Sequence, residues 1–311
     1  MQYADYALWH RNLLGSEDDP ASSVSKQLAH WRDALAGIPD QMDLPTDRPR
    51  PAVQSYAGGR IDFDIDADLH AQLVDLTHRR RATLFMTVHA ALAVLLARLS
   101  GSDDITVGTP VAGRGDQQLD DLIGMFVNTL VLRARVADDA TFDELLQTVR
   151  DADLKAFGNA DVPFERLVEV LDPPRSTARH PLFQVGFSFQ NFAQGTLELP
   201  PGLDASLVEL AHRTSQFDLH WIVQDRYDDA GSPDGITGHL TYATALFDES
   251  TAVELVHRFV RVLRAVVAAP GAPVATSRYS TTPSVTGSSP SGTTPDVPCP
   301  QPLSWRCSTR R

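Results

Sequence analysis

The sequence predicts a mixed α/β fold, with strands of both directions in one sheet and helices packed against it. Three observations predict it. Ile61, Phe63 and Ile65 alternate with polar residues, as in a half-buried strand; Leu84–Leu99 is apolar nearly all round, as in a buried helix; and further strand and helix patterns interleave as far as Ala268. No internal repeat is visible. At 311 residues with a hydrophobic fraction of 42%, the chain could hold one large domain or two small ones.

The elements follow in order. Tyr3–Trp9 mixes aromatics with Asp5 and starts a helix. Lys26–Ala36 is a second short helix, with Leu28, Trp31 and Leu35 on one face and Gly37 and Pro39 as its breakers. Leu44–Pro51 holds three prolines in eight residues and reads as a stiff, extended connector. A strand covers Tyr56–Ile65. Asp66 or Ala67 then opens a helix to His78, with Leu69, Leu73 and Leu76 inward, and Thr83 is the expected N-cap of Leu84–Leu99.

Asp104–Thr109 is the next strand, followed by a glycine-containing loop, Pro110–Asp121, and a strand at Thr129–Val136. Helices are expected at Phe142–Ala156 and Pro163–Leu171, the latter with proline at an early helical position, where a missing N–H costs little. Strands follow at Leu182–Gln190, Phe217–Gln224 and Ile236–Tyr242, the last two joined by a polar turn over Asp225–Asp234. The final helix, Ser250–Ala268, places Val253, Val256, Val260 and Leu263 inward.

Composition changes after Pro270. Residues 271–311 are rich in Ser, Thr, Pro and Gly, with Trp305 as an isolated aromatic, and such a segment buries too little apolar surface to order its backbone. The expected division is therefore a folded part, residues 1–270, and a disordered tail or shortened linker, residues 271–311. A reading-frame change would give a tail of the same kind.

The formal charge of -13, from 40 Asp and Glu against 27 Lys and Arg, argues against nucleic acid as the main partner. Both cysteines, Cys299 and Cys307, lie in the tail, so neither a disulfide framework nor a metal cluster is expected. No signal peptide and no membrane-spanning apolar stretch is legible, and a cytoplasmic location is the plain expectation.

An ordered series of motifs resembles the condensation domains of nonribosomal peptide synthetases. It comprises YADYALW (Tyr3–Trp9), the run from Ala82 to Arg114, IGMFVNTLVLR (Ile123–Arg133), DVPFERLVEVL (Asp161–Leu171), RSTARHPLFQVGFSFQN (Arg175–Asn191), TSQFDLH (Thr214–His220) and LTYATALFD (Leu240–Asp248). The resemblance covers roughly residues 1 to 270. It implies a chloramphenicol-acetyltransferase-like fold of two lobes, of which this chain resembles the C-terminal one. It also implies amide formation between a carrier-bound thioester donor and the amine of a carrier-bound acceptor. Epimerisation and cyclisation domains share that fold, and the VNT of Val127–Thr129 favours ordinary condensation.

In the family a histidine of an HHxxxDG motif on the N-terminal lobe holds the amine or takes its proton. None of the ten histidines here begins such a string. No catalytic residue is therefore assigned, and the expectation is a domain fragment inactive alone. A noncatalytic carrier-binding module and one lobe of a split enzyme stand as alternatives. The implied partners are peptidyl carrier proteins or domains, which present phosphopantetheine arms as substrates, an adjacent adenylation domain, and a separate N-terminal lobe. No directly bound cofactor or metal is implied. Carrier proteins are usually acidic, so docking one on this acidic chain would need a local positive face.

Gly113, Arg114, Gly124 and Asn128 fall in the segment that forms the tunnel floor in the family. Arg114 could gather loop carbonyls with its fork of donors. Gln190, Asn191, Ser215 and Asp218 are the polar candidates for the acceptor side of the channel, and Asp218 could instead satisfy backbone donors. Tyr3, Asp5, Tyr6 and Trp9 form a structural motif whose Tyr6 and Trp9 are expected at an interface with the other lobe. Asp161, Pro163, Phe164 and Glu165 read as a loop-to-helix junction, with Asp161 as cap and Phe164 wedged into the core. Arg179, before His180 and Pro181, could pair with an acid or face a phosphate. His89 is expected in the core, and His220 could point to either side of its strand.

Overall fold

The computed structural model describes residues 2–115, 117–190 and 213–274. The chain divides into one compact unit over Met1–Tyr279 and a second over Ser280–Arg311; all described residues belong to the first.

Two helices open that unit, α1 (Tyr3–Leu14) and α2 (Ser23–Ala34). After the proline connector come β1 (Gly58–Ile65), α3 (Ala67–Arg79), α4 (Leu84–Ser100), β2 (Asp104–Val111) and, beyond a short 3₁₀ turn, β3 (Asn128–Arg135). Helices α5 (Phe142–Phe157) and α6 (Phe164–Leu171) precede β4 (Val185–Gln190), β5 (Leu219–Tyr227), β6 (Pro233–Ala243) and α7 (Glu249–Ala268).

The six strands form one sheet in the order β1-β6-β5-β4-β2-β3. β4 runs parallel to β2 and β5, and the other three pairings are antiparallel. The expectation of a mixed sheet with helices against it is met.

One face of the sheet is the core. Phe187, Trp221 and Leu240 lie side by side across β4, β5 and β6, all wholly buried. Trp221 meets Phe259 of α7 at 4.7 Å between ring centres, and Phe187 meets Phe85 of α4 at 5.1 Å. Because α4 is enclosed by α5, α7 and β2, nearly every residue from Leu84 to Leu96 is buried, as its all-round apolar sequence requires. Thr83 accepts from Met86 N at 3.2 Å and caps it. His89 is wholly buried there, its Nδ1 3.0 Å from Asp153 Oδ2 of α5.

The opposite face carries polar rows. Across β4, β5, β6 and β1 run Gly186, His220, Thr241 and Arg60, and beside them Ser188, Ile222, His239 and Asp62.

Four details differ from the sequence expectations. α7 is buried through Ala252, Leu255, Val256, Phe259, Val262, Leu263 and Val266, with Val253 and Val260 only at the margin. The large Phe259 sets the rotation of the helix, a packing choice that a run of valines does not reveal. β4 begins at Val185, not Leu182, because Leu182 adopts φ +66° and its carbonyl accepts from Thr106 Oγ1. The polar turn contracts to Asp228–Ser232, where Asp228 Oδ1 accepts from Ala230 N and Ser232 N. Pro163 occupies the N-cap of α6 rather than its first turn.

The connector also has a specific role. Asp47 accepts from Asp248 N at 2.7 Å and from Thr251 Oγ1 at 3.0 Å, satisfying donors at the start of α7. Further along, Arg50 pairs with Asp218.

Candidate functional site

The loop between β2 and β3 closes on itself through Arg114. Its guanidinium donates to the carbonyls of Leu119, Asp120 (3.3 Å) and Leu122 (2.7 Å) and sits 4.0 Å above the Phe126 ring. Gly113 meets this loop with φ +63°, and a Cβ there would stand 1.9 Å from Phe126 O. At Gly124 the absent side chain makes room for the Tyr3 ring, whose hydroxyl donates to Met125 O at 2.5 Å.

Helix α1 is thus moored to the loop from one side. Tyr6 packs 4.8 Å from Phe126 and stacks on His10, while Asp5 accepts from Gln2 N at the helix start. Trp9 is 55% exposed, while Tyr6, expected beside it at an interface, is partly buried against Phe126 and His10.

Asn128, at the start of β3, joins this loop to α6. Its Nδ2 donates to the carbonyls of Ala160 and Val162, both at 2.8 Å, and its Oδ1 accepts from Thr129 N and from Phe164 N at 3.1 Å. Asn128 therefore satisfies the first donor of α6, the role expected of Asp161. Asp161 is turned to α2 instead: its Oδ2 accepts from Gln27 Nε2 at 2.7 Å, and its N–H donates to Gln27 Oε1. Phe164 is half-buried, stacked on His180 at 5.3 Å and edge-on to Phe183 at 5.7 Å.

These segments border a cleft of about 620 Å³ lined by the ends of β2 and β3, by α6, by the turn His180–Phe183, and by β4 and β5. Its floor is aromatic. Phe183 lies over Gly108, where a Cβ would come within 2.0 Å of the ring; Phe217 and His220 lie over Gly186, where a Cβ would meet each at 2.7 Å. At one end stands a hydrogen bond of 2.8 Å between Ser188 Oγ on β4 and His220 Nε2 on β5. Burial, with His239 nearby, pushes the His220 imidazole down to about 4, so at neutral pH it is uncharged. Burial also lowers His180, against opposing hydrogen bonds to Pro181 and Phe183.

Among the sequence candidates, Asn128, Phe164, Glu165 and Pro181 line this cleft. Gln190 ends β4, paired with Gln224. Ser215 is buried and donates to Phe217 O at 2.6 Å. Asp218 is buried against Arg50, which donates to both its carboxylate oxygens. Arg179 donates to Gln41 Oε1 at 3.1 Å, a neutral partner rather than an acid. Asn191 lies outside the described residues. Ser188 and the side His220 takes were not legible, because only the pairing of β4 with β5 sets them opposite one another's neighbours.

Among the described residues no group of three His, Cys, Asp or Glu is placed to hold a metal, and no single helix is long and apolar enough to cross a membrane.

Residues 1–284 match the family model for the condensation domain. The chain belongs to the condensation domain family. Relatives include a probable non-canonical nonribosomal peptide synthetase, CymA, of Salinispora arenicola, 52% identical over 270 residues. These are 87% of this chain and 4% of that protein. The dimodular nonribosomal peptide synthase of Bacillus subtilis is 48% identical over 271 residues, 87% of this chain and 11% of its own length. Among solved structures, the X-domain in its complex with OxyB from teicoplanin biosynthesis superposes with a TM-score of 0.83. At 35% identity, the match covers 91% of this condensation-domain chain and 61% of the X-domain chain. This condensation-domain chain therefore spans a small part of the multidomain synthetases and about three fifths of the solved single domain.

Proposed function

We propose that this chain forms the C-terminal lobe of a condensation domain and supplies one wall of a cleft in which two carrier-borne substrates meet. In the complete domain a carrier-bound thioester donor is joined to the amine of a carrier-bound acceptor as an amide. The observation that carries the reading is the polar, half-buried sheet face beside the aromatic cleft, in a chain matched to the family over 1–284. A face turned only to a packed core would be apolar.

The chain's part in the chemistry is positioning. Arg114, Gly113, Gly124 and Tyr3 fix the floor loop, and Asn128 fixes α6 against it, so that the wall keeps its shape when an arm enters. None of its described side chains takes the role of the HHxxxDG histidine. That group comes from residues outside this sequence. The substrates reach the cleft on phosphopantetheine arms, and an adenylation domain stands beside it in a full synthetase. Residues 1–270 make up the condensation-domain part, with Val274 still packed against it through a bond from its N–H to Ala140 O, and the rest of 271–311 serves as a linker.

The test is amide formation between two loaded carrier proteins, with this chain alone and with an added N-terminal lobe. Product only in the combined sample is expected. Product from the chain alone well above background, or none in the combined sample despite binding of the lobe, would sink the reading.

A second reading has its own support. The likeness to an X-domain solved in complex with OxyB favours a noncatalytic docking module. Carrier-protein binding without amide formation, in the presence of the added lobe, would select it.

A further inference from the structure

Ser188 and His220 are polar residues set into an otherwise aromatic floor, and their surroundings restrict what they can recognise. Around them stand Phe164, Phe183 and Phe217, with Gly108 and Gly186 keeping the sheet flat enough for the rings to lie across it. Among the described residues no Lys or Arg lines the cleft, and the one carboxylate that does, Glu165, is exposed at the start of α6. Ser188 is 8% exposed, and His220 is half-buried against Phe217.

The pair is neutral, yet it can present either polarity. With the proton on His220 Nδ1, the serine hydroxyl donates to Nε2 and its oxygen is left to accept. With the proton on Nε2, that nitrogen donates to Ser188 Oγ and the hydroxyl hydrogen is free to donate. Neither arrangement carries charge, so neither compensates the desolvation of a carboxylate or an ammonium brought against the rings. An aromatic group placed on the floor gains area and edge-to-face contact, and a hydroxyl at its far end finds a partner.

Resting on the reading of the cleft as a carrier-fed channel wall, we propose that the Ser188–His220 pair is a specificity subsite for the uncharged side chain of the substrate, selecting an aromatic ring that bears a hydroxyl. The arm it takes is an aminoacyl thioester of tyrosine type, in preference to acidic or basic ones.

The test uses the chain itself and stable amide analogues of aminoacyl-pantetheine carrying tyrosyl, phenylalanyl, glutamyl or lysyl groups. Binding is followed by the ¹⁵N shifts of the His220 ring and by titration. The tyrosyl arm is expected to bind about tenfold tighter than the phenylalanyl arm, the scale of one hydrogen bond, and both to exceed the charged arms. Ser188→Ala should remove the tyrosyl preference while leaving phenylalanyl binding within about twofold, and His220→Gln, which keeps a neutral polar group, should retain part of it. Charged arms that bind as well, a tyrosyl preference that survives Ser188→Ala, or no shift at His220 at saturating arm would each overturn the proposal. Free arms test the subsite apart from carrier docking. Failure of loaded carrier proteins to bind, with the arm preference intact, would count against the channel reading and not against the subsite.

Discussion

Asn128 closes the N-terminus of α6 across sequence: its Oδ1 takes the N–H of Phe164 at 3.1 Å while its amide donates to the carbonyls of Ala160 and Val162. One side chain thus joins the floor loop, the start of β3 and the helix that borders the cleft. An amide suits the place because it can donate twice and accept at once.

Asn128→Ala removes all of these bonds and leaves the two carbonyls to find other donors. A loss of about 2–3 kcal/mol is expected, on the order of 1 kcal/mol per bond. Urea unfolding measures it. Asn128→Asp should cost at least as much, since a carboxylate cannot donate to those carbonyls. A change below 0.5 kcal/mol in both, roughly the scatter of surface substitutions, would show that α6 does not depend on this residue.

Arg50 and Asp218 form a largely buried ion pair, with side chains 17% and 5% exposed. Hydrogen bonding to Asp218 raises Arg50 above its ordinary value, so it remains charged throughout the working range. Removing one partner strands the other: Asp218→Ala or Arg50→Ala should each cost about 3–5 kcal/mol. The double variant Arg50→Met with Asp218→Leu should cost less than the sum of the single losses. Thermal unfolding of the set decides it, and strict additivity would mean the pair is not coupled.

Gly113→Ala should disrupt the floor loop. The left-handed backbone alone costs about 1 kcal/mol for a residue with a Cβ, and the 1.9 Å approach to Phe126 O forces the loop to move. The expected readout is loss of protection in amide exchange over 112–127, with the core strands β4 and β5 unchanged. Unaltered protection in the loop would refute the role given to this glycine.

Acid should weaken the fold before the carboxylates titrate. Burial lowers His30, His70, His180 and His220 in the folded state, the last to about 4, whereas unfolded histidine titrates near about 6.5. Below that value the unfolded chain binds more protons than the folded one, so stability is lost as pH falls from about 6.5 towards about 4. His220 contributes at most about 3 kcal/mol of this, and His220→Gln should flatten the slope accordingly. A stability flat between pH 7 and 4.5 would contradict the burial of these rings.

Ile123 is 95% exposed, Met125 74% and Trp9 55%, on the floor loop and the helix it moors. Large apolar side chains left this exposed favour association. Serine at all three positions should lower concentration-dependent self-association in sedimentation, with the melting temperature unchanged. Equal association before and after would show that this surface takes no part.

Local residue patterns were enough to tell which segments are helix and which are strand, and where most of them start. Periodicity and caps are local: Thr83 before an apolar run, or Ile61, Phe63 and Ile65 at alternate positions, carry their own physical reason. The ordered motifs also determined the family. Tertiary structure decided everything that depends on which strands lie side by side. Ser188 and His220 are 32 residues apart and meet only because β4 pairs in parallel with β5. Asp161 resembles a cap in sequence, yet the amide of Asn128, 36 residues before Phe164, reaches the helix first and leaves Asp161 to Gln27. Hydrogen bonds of this kind are chosen by competition among groups that the chain brings together in space, and no spacing along the chain ranks the competitors.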